Sequence, residues 1–288
     1  MLACACGSVY DEGPARTCPS CGRAPAVIDG FAAWAPELAR GGGGFEAGYF
    51  EGLSELEDAS FWFRQRNRLI VDVLRAYFPG LESFLEVGCG TAYVLRGVAT
   101  AFPSARLVGS EVFVDGLRVA QARVPSAELV QLDVRAMPYR DAFDVAGAFD
   151  VLEHVDDDAA ALAGLRDAVR PGGGIVIAVP QHPWLWSAAD EYARHERRYT
   201  AAGLHTKVHA AGLEIVRSTS FVVLPLPLMV ASRFAQRHRR DYDPTAELRI
   251  PRPVNAALER LLAAERAAIR RGVNAPVGGS RLVVARRR

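Results

Sequence analysis

The stretch FLEVGCGTAY, residues 84–93, combines an apolar run, an acidic residue and two glycines two positions apart. Its first four residues predict a strand, and the glycines predict a tight turn in which backbone can approach a ligand closely. The following residues, from Thr91 to Ala101, have the pattern of a helix. A strand, a glycine turn and a helix in this order predict a nucleotide site of an α/β protein.

Further strand-like segments follow along the chain, and helical segments separate most of them. The seven predicted strands cover residues 83–87, 106–110, 127–133, 143–149, 173–179, 213–222 and 280–287. Strands that alternate with helices predict a parallel sheet with helices on both faces. A helical insertion is predicted at about 225–275, before the last strand. The predicted fold class is therefore α/β, with a Rossmann-like, doubly wound, seven-stranded sheet.

Acidic residues stand at the ends of the first four predicted strands, at Glu86, Glu111, Asp133 and Asp150. Such strand ends share one crevice in an open parallel sheet. A carboxylate beside the glycine turn would repel a pyrophosphate, and Tyr93 replaces the third glycine of the dinucleotide fingerprint. Clustered carboxylates favour a cationic ligand. S-adenosylmethionine fits, because it carries a sulfonium, an ammonium and a ribose diol but no phosphate. A domain that binds nothing, or another nucleotide, is the alternative.

Five motifs, in order, resemble those of the class I S-adenosylmethionine-dependent methyltransferases: FLEVGCGTAYVL, LVGSEVF, LVQLDVRAMPY, FDVAGAFDVLEHVDD and VRPGGGIVIAVP. The resemblance covers about residues 83–222 and the closing strand at 280–287. It implies that the last of the seven strands is antiparallel and that the chain is a methyltransferase using S-adenosylmethionine. The order and spacing of the whole set are specific, although no single motif is.

The resemblance also implies residue roles. It implies that Glu86, Gly88 and Gly90 hold the methionine part of the cofactor, Glu111 the ribose and Asp133 the adenine. The full predicted cofactor-binding set is Glu86, Gly88, Cys89, Gly90, Glu111, Asp133, Val134, Asp150, Phe63 and Arg64. The family usually has a third glycine where this chain has Ala92, and we expect tight contact there rather than loss of binding. Cys89 is interpreted as a small space-filling residue rather than a nucleophile.

The segment ELEDASFWFRQRNRLIVDVL, residues 55–74, predicts one helix with aromatic residues near its start. One interpretation places Trp62, Phe63 and either Arg64 or Arg66 over the cofactor as a lid that excludes water. The other interpretation makes the aromatic residues part of the core. The two interpretations are compatible, and both stay open.

The acceptor site is predicted after the fourth and fifth strands. A general base is needed only if the acceptor carries a proton at neutral pH, and the candidate catalytic residues are His154, His195 and Asp190. The candidate substrate-binding residues are His182, Trp186, Arg198 and Tyr199, which lie with Asp190 and His195 in the loop at 180–200. For any single histidine the alternative is a structural role: His154 bonding backbone, or His195 lying on a solvated loop face with Glu196.

Four of the five cysteines lie near the N-terminus, at Cys4, Cys6, Cys18 and Cys21. Four thiolates on two short turns suit tetrahedral zinc, although the first pair departs from the usual C-x-x-C spacing. Free thiols or disulfides are the alternatives. The segment resembles the zinc-ribbon heads of some methyltransferases, including ribosomal RNA ones. The predicted division is a zinc-ribbon-like segment at 1–40, a linker with a lid helix at 41–80, including a glycine hinge at 40–45, and the methyltransferase domain at 81–288.

The net charge and composition of the chain limit the kinds of partner that are expected. The 288-residue chain has a formal charge of +1. Residues 1–35, which hold the four clustered cysteines, carry only Arg16 and Arg23 as cationic side chains, so no nucleic-acid footprint is expected. Neither a signal peptide nor a spanning helix is predicted, so the expected location is the cytoplasm. Three interpretations of the apolar stretch at 221–240 stay open: peripheral contact with a membrane, an apolar pocket for the acceptor, or a helix that covers the core. The expected partner is a small-molecule acceptor; RNA, or a cofactor-binding protein without turnover, is the alternative. The oligomeric state stays open.

Overall fold

The computed structural model describes residues 1–13, 16–40, 49–236 and 250–288. The predicted glycine hinge falls almost entirely on residues outside these ranges, as does the middle of the helical insertion. All seven predicted strands are present, and the N-terminal segment adds four short ones. In chain order the strands are β1 (Leu2–Ala3), β2 (Val9–Tyr10), β3 (Ala26–Ile28), β4 (Phe31–Ala33), β5 (Ser83–Val87), β6 (Arg106–Glu111), β7 (Glu128–Gln131), β8 (Phe143–Phe149), β9 (Val169–Pro180), β10 (Leu213–Phe221) and β11 (Ser280–Arg287).

The main sheet has the strand order β10-β11-β9-β8-β5-β6-β7-β4-β3. Strands β5 to β9 are parallel to one another, and β11 lies antiparallel between β9 and β10. The predicted antiparallel last strand is therefore confirmed. The chain runs from β5 outward to β6 and β7, then returns to β8 on the other side of β5. This reversal opens a crevice at the carboxyl ends of β5 and β8, where ligands bind in such sheets.

Helices cover both faces of the sheet, and two buried apolar clusters lie beneath them. Side chains of β5 alternate between the clusters: Phe84 lies in one, and Leu85 and Val87 lie in the other. The described helices are α1 (Tyr49–Glu57), α2 (Phe61–Tyr77), α3 (Tyr93–Ala101), α4 (Val114–Arg123), α5 (Asp158–Ala168), α6 (Ala188–Tyr192), α7 (Ala201–Ala210), α8 (Leu226–Gln236) and α9 (Arg252–Arg270). Within the described ranges, none of these helices combines the length and apolar character that a bilayer crossing requires.

The prediction of one continuous helix over 55–74 was wrong, because the chain breaks between α1 and α2. Asn255, at the start of α9, holds the break on both sides. Its Oδ1 accepts a hydrogen bond from the Phe61 backbone N–H at 2.9 Å, and its Nδ2 donates to the Ala59 carbonyl at 3.0 Å. A partner nearly 200 residues away thus satisfies the first turn of α2, and no local sequence signal carries that information.

The N-terminal segment joins the main sheet. Strand β4 pairs in parallel with β7, and β3 pairs with β4, so the seven predicted strands lie in a nine-stranded sheet. The first residues pack on the same body: Leu2 is fully buried in a core cluster, and the Ala3 N–H donates to the Pro138 carbonyl at 2.6 Å. The cysteine-bearing turns are therefore fixed against the methyltransferase sheet.

Candidate active site

A cavity of about 1070 Å³ opens at the carboxyl ends of β5, β6 and β8. Its volume slightly exceeds the range of about 300–1,000 Å³ that small-molecule sites occupy. One end is formed by the glycine turn after β5, and the other by the loop at 180–198 and helix α8. The cavity is therefore large enough for a cofactor and a modest second ligand.

The glycine turn is built from residues in left-handed backbone conformations. Gly88 has φ +61° and Gly90 has φ +52°, and helix α3 begins directly afterwards at Tyr93. A Cβ on Gly88 would lie 2.5 Å from Val151 Cγ2, so a larger residue cannot fit there without movement. Ala92 is also left-handed, with φ +58°, and is fully buried. The turn thus brings bare backbone to the cavity wall.

Cys89 lies inside this turn with its side chain buried. Burial raises the pKa of its thiol well above the ordinary value, and the nearby Glu86 and Glu111 raise it further. A thiol in these surroundings stays protonated and unreactive. The structure therefore gives no support to a nucleophilic role.

Glu86, at the end of β5, is the clearest sign of a cationic ligand. Only 3% of the residue is exposed, and its Oε2 has no hydrogen-bond partner within the described part of the chain. Burial raises the pKa of the carboxyl to about 8, although the nearby Arg66 lowers it. A buried, partly unsatisfied carboxylate is costly unless a donor meets it. The ammonium of a bound methionine moiety would supply that donor.

Glu111 ends β6 and is tied to the glycine turn. Its carboxylate accepts hydrogen bonds from the backbone N–H groups of Gly90 at 3.0 Å, Val112 at 2.9 Å and Phe113 at 3.4 Å. Burial raises the pKa of Glu111, and these three N–H groups lower it. The carboxylate therefore has a fixed position on the cavity wall, where a ribose diol could donate to it.

The remaining acidic residues at the strand ends are paired with arginines. Asp133 accepts from the Arg135 backbone N–H at 2.9 Å and forms an ion pair with Arg135 Nη2 at 2.7 Å. Asp150 has φ +58° and forms an ion pair of 2.5 Å with Arg66 Nη2. Asp133, Asp150 and the neighbouring Val134 all line the cavity.

Helices α1 and α2 cover the cofactor end. Trp62 and Phe63 line the cavity, and the guanidinium of Arg66 lies 5.0 Å from the centre of the Trp62 ring. The predicted lid residues Trp62 and Phe63 thus lie on the cavity wall. Of the two candidate arginines, Arg66 lies there and Arg64 does not. Arg64 lies away from the cavity and pairs with Glu259 at 2.6 Å.

The other end of the cavity carries a polar cluster. Glu153, His154 and His195 each offer an oxygen or nitrogen, and these atoms lie within 4.8 Å of one another. His195 Nδ1 lies 2.9 Å from Asp190 Oδ1, and Arg198 Nε donates to the same oxygen at 2.7 Å. The cavity thus brings together the three candidate catalytic residues and one of the four candidate substrate-binding residues.

The other three candidate substrate-binding residues lie off the cavity wall. His182 has φ +65° and stacks on Trp184 at 5.3 Å, and Trp186 is 41% exposed. Tyr199 is buried, and its hydroxyl donates to Asp158 Oδ2 at 2.7 Å, which gives it a structural role between α5 and α7. These positions offer the acceptor no direct contact in this arrangement.

Glu153 was not among the predicted site residues, although it directly precedes His154 in the motif FDVAGAFDVLEHVDD. The residue is fully buried, and neither of its carboxylate oxygens has a hydrogen-bond partner within the described ranges. Burial raises its pKa well above the ordinary value, and the Asp150 carboxylate raises it further. Only the fold could show that Glu153 faces His195, 42 residues away.

The four N-terminal cysteines also come together. Cys4 Sγ lies 3.5 Å from Cys21 Sγ, and Cys6 Sγ lies 3.7 Å from Cys18 Sγ. These separations are far longer than a disulfide bond. They are close to the edge of about 3.8 Å that four sulfurs make around an ion with Zn–S bonds near 2.3 Å.

The glycine turn and the unsatisfied carboxylate fit S-adenosylmethionine, and comparisons with known proteins agree. Residues 60–218, more than half of the chain, match the family described as the methyltransferase domain. The chain therefore belongs to the methyltransferase-domain family. Its sheet, its cavity and the family match together identify a class I S-adenosylmethionine-dependent methyltransferase domain.

Individual similar proteins include named methyltransferases. The chain is 28% identical to trans-aconitate 2-methyltransferase of Azoarcus sp. over 171 residues, 54% of this chain and 68% of that protein. It is 32% identical to an O-methyltransferase of Penicillium expansum over 152 residues, 49% of this chain and 54% of that protein. The chain spans 39%, 68% and 62% of the lengths of the first three curated relatives that it matches.

A solved structure shows the same fold. The phosphoethanolamine N-methyltransferase 2 of Haemonchus contortus, in complex with S-adenosyl-L-methionine, superposes with a TM-score of 0.52 at 15% identity. The match covers 77% of this chain and 52% of that one. At this identity the likeness concerns the fold alone.

Proposed function

We propose that the chain transfers the methyl group of S-adenosylmethionine to an oxygen atom of a small organic acceptor. The observation that carries the proposal is the cluster of Glu153, His154 and His195, backed by Asp190, on the cavity wall beyond the cofactor end. An alcohol loses a proton when it is methylated. Carboxylate and imidazole groups can accept this proton as general bases. The similar O-methyltransferase supports the choice of oxygen.

The rest of the acceptor end is apolar. Val222, Pro225, Leu228 and Met229 line it, and they come from the segment that joins β10 to α8 and from α8 itself. An acceptor with an apolar body and one reactive oxygen fits such a wall. Lipid-linked, glycan-linked and secondary-metabolite acceptors meet this description. The apolar stretch at 221–240 supplies part of this wall, and residues 237–249 lie outside the described ranges.

An RNA acceptor is the weaker candidate. Arg16, one of the two cations of the cysteine segment, forms ion pairs with Glu12 at 3.3 Å and with Glu128, so its charge is already compensated. A nucleic-acid surface needs several cations that can reach phosphates. Arg23 alone does not meet that requirement within the described part of this segment.

The test is transfer of a labelled methyl group from S-adenosylmethionine into an extract of the source organism, split into RNA, protein, organic-soluble and water-soluble fractions. Label is expected in a small-molecule fraction. Mild alkali would then separate methyl esters, which release the label, from methyl ethers, which keep it. A Glu86→Gln variant, which should bind the cofactor weakly, is the matched control.

Label in RNA would overturn the proposal and make the cysteine segment a recognition module. Label on nitrogen in an isolated product would overturn the choice of oxygen. Cofactor binding with no transfer to any fraction would support a binding protein without turnover.

We further propose that Cys4, Cys6, Cys18 and Cys21 bind one structural zinc ion. The sulfur separations support this, as do the two tight turns that present the thiols. Gly7 and Gly22 have φ of +90° and +73°, and the N–H of each donates to the carbonyl of a cysteine, Cys4 and Cys18 respectively, at 2.9 Å. A segment with so little core of its own gains much of its stability from the metal.

Cobalt substitution tests the zinc site. Co²⁺ bound to thiolates should give intense charge-transfer absorption, and replacement of Cys18 by serine should remove most of it. The same band at full intensity in Cys89→Ser, which leaves the four clustered thiols in place, is the control. A protein that folds without this absorption would refute the site.

A further inference from the structure

The cluster opposite the glycine turn has the composition of a transition-metal site. Glu153, His154 and His195 offer one oxygen and two nitrogens within 4.8 Å of one another. The two imidazole rings meet edge to face, with centroids 4.6 Å apart and planes at 80°. Tetrahedral coordination with bonds near 2.1 Å places ligand atoms about 3.4 Å apart, so small side-chain rotations would bring the three onto one ion.

The buried carboxylate is an independent sign of a ligand. Glu153 is 0% exposed, and both of its oxygens lack a hydrogen-bond partner within the described ranges. Such a group is costly to bury alone. The nearby Arg66 and Arg198 are themselves engaged by Asp150 and Asp190, so they are not dedicated to Glu153. A divalent cation would compensate the carboxylate directly.

Both histidines have the outer partners that metal ligands use. His195 Nδ1 is 2.9 Å from Asp190 Oδ1, which leaves Nε2 as its other ring nitrogen. His154 makes a hydrogen bond with the backbone of Ala193. A ligating histidine usually donates its second N–H to a carboxylate or a carbonyl, which fixes the ring. Asp190 is in turn held by the Ser187 N–H at 2.9 Å.

We propose that Glu153, His154 and His195 bind one divalent transition-metal ion on the acceptor side of the cavity. Two imidazoles and one carboxylate favour zinc, iron or cobalt over magnesium or calcium. With three protein ligands, at least one coordination position stays open toward the cavity.

The role of the ion in catalysis rests on the proposed function. The acceptor oxygen binds the open position and loses its proton to water at the cavity mouth. The oxygen then forms the new bond to carbon, the carbon–sulfur bond breaks, and S-adenosylhomocysteine leaves. The ion lowers the pKa of the bound hydroxyl and orients it.

The test counts divalent ions on the full chain by calorimetry with Zn²⁺ after removal of metal by a chelator. We expect two ions on the wild-type chain, one at the cysteines and one at Glu153, His154 and His195. Glu153→Gln, which keeps the side-chain shape, should bind one. Glu196→Gln, a change at an exposed neighbour, should still bind two. Asp190→Asn should weaken the second ion about 10- to 100-fold, since it changes an outer partner only.

The cysteine absorption of Co²⁺ reports whether each variant is folded. Two ions on Glu153→Gln at wild-type affinity would show that the second ion is adventitious, and a single ion on the wild-type chain would also overturn the proposal. The count needs no acceptor, so failure of the methyl-transfer experiment leaves it intact. Conversely, methyl transfer at full rate by chelated protein would overturn the metal's role while the proposed function stands.

Discussion

The backbone N–H of Gly90 donates a hydrogen bond of 3.0 Å to Glu111 Oε2, which joins the glycine turn after β5 to the end of β6. Two neighbouring strands thus fix each other's ends at the wall of the cavity. Because Glu111 also accepts from Val112 and Phe113, its carboxylate has little freedom before any ligand arrives. A carboxylate that is already held in place loses little conformational entropy when a ligand binds to it.

Replacing Glu111 by alanine should weaken the affinity for S-adenosylmethionine about 100-fold. The change removes the carboxylate assigned to the ribose and leaves three N–H groups without their acceptor. Glu111→Gln keeps one acceptor oxygen and should lose less. Calorimetric titration checks both, with the exposed Glu37→Ala as control. Unchanged affinity in Glu111→Ala would remove the ribose assignment.

Gly88→Ala should destabilise the protein by roughly 2 kcal/mol and abolish measurable cofactor binding. The added Cβ would lie 2.5 Å from Val151 Cγ2, and φ +61° is itself unfavourable for alanine. Urea unfolding measures the first effect and calorimetry the second.

Gly80→Ala is the control for this change, because nothing lies within 4 Å of its Cβ. Adding Val151→Ala to Gly88→Ala should restore part of the stability. If the double variant were no more stable than Gly88→Ala, the loss would come from backbone conformation alone.

Most of the sheet could be predicted from the sequence, because the sequence signals for strands are local. The first four of the seven predicted strands have an apolar run that ends at an acidic residue, and all seven strands are present. The carboxylates of Glu86 and Glu111 could be placed on one wall because parallel strands share their carboxyl ends. The left-handed backbone conformation of Ala92 was not predicted; only a tight contact at this position was expected.

The features that could not be predicted from the sequence depend on contacts between residues that are far apart along the chain. Asn255 determines where α2 begins, and Glu153 meets His195 only after β8 and β9 are side by side. Likewise, Arg66 faces the cavity while Arg64 pairs with Glu259 because of how α9 packs on α2. Neighbouring residues of a helix point in different directions, and only tertiary packing decides which of them lines a site.

A buried ion pair between Glu57 of α1 and Arg123 of α4 holds α1 beside the glycine turn, and a double-mutant cycle should measure it. Glu57 is 2% exposed, pairs with Arg123 Nη1 at 2.5 Å and accepts from the Thr91 hydroxyl at 2.7 Å. Arg123→Met should cost about 3–5 kcal/mol, because it leaves the carboxylate buried without its cation. Arg123→Met with Glu57→Met should recover part of that loss.

Denaturant unfolding of the four proteins gives the coupling energy, which we expect to be about 1–3 kcal/mol. The cofactor dissociation rate should rise in Arg123→Met, since α1 lies over the turn. Simple additivity of the two single changes would mean that the pair does not hold the helix.

Glu86 should make the unliganded protein less stable as the pH rises. Its pKa is raised by burial from 4.5 to about 8 in the folded state, so the folded protein binds a proton that the unfolded chain releases. The stability that this group contributes is complete below pH 4.5 and is lost progressively up to about pH 8. Glu86→Gln removes the titration. The variant should therefore exceed the wild type in stability by on the order of 3 kcal/mol at pH 7, and by little at pH 5.

The same substitution should weaken cofactor binding, because glutamine brings no charge to the ammonium. Wild-type binding should tighten from pH 6 to pH 8 and release a proton, since the bound cation favours the ionised carboxylate. Calorimetry in two buffers of different ionisation enthalpy measures that proton. Glu55→Gln, at an exposed site of α1, should alter neither property. If Glu86→Gln were more stable than the wild type but bound the cofactor with normal affinity, burial of the carboxylate would still account for the stability change. Glu86 would then not contact the methionine part of the cofactor, and another residue would have to hold it.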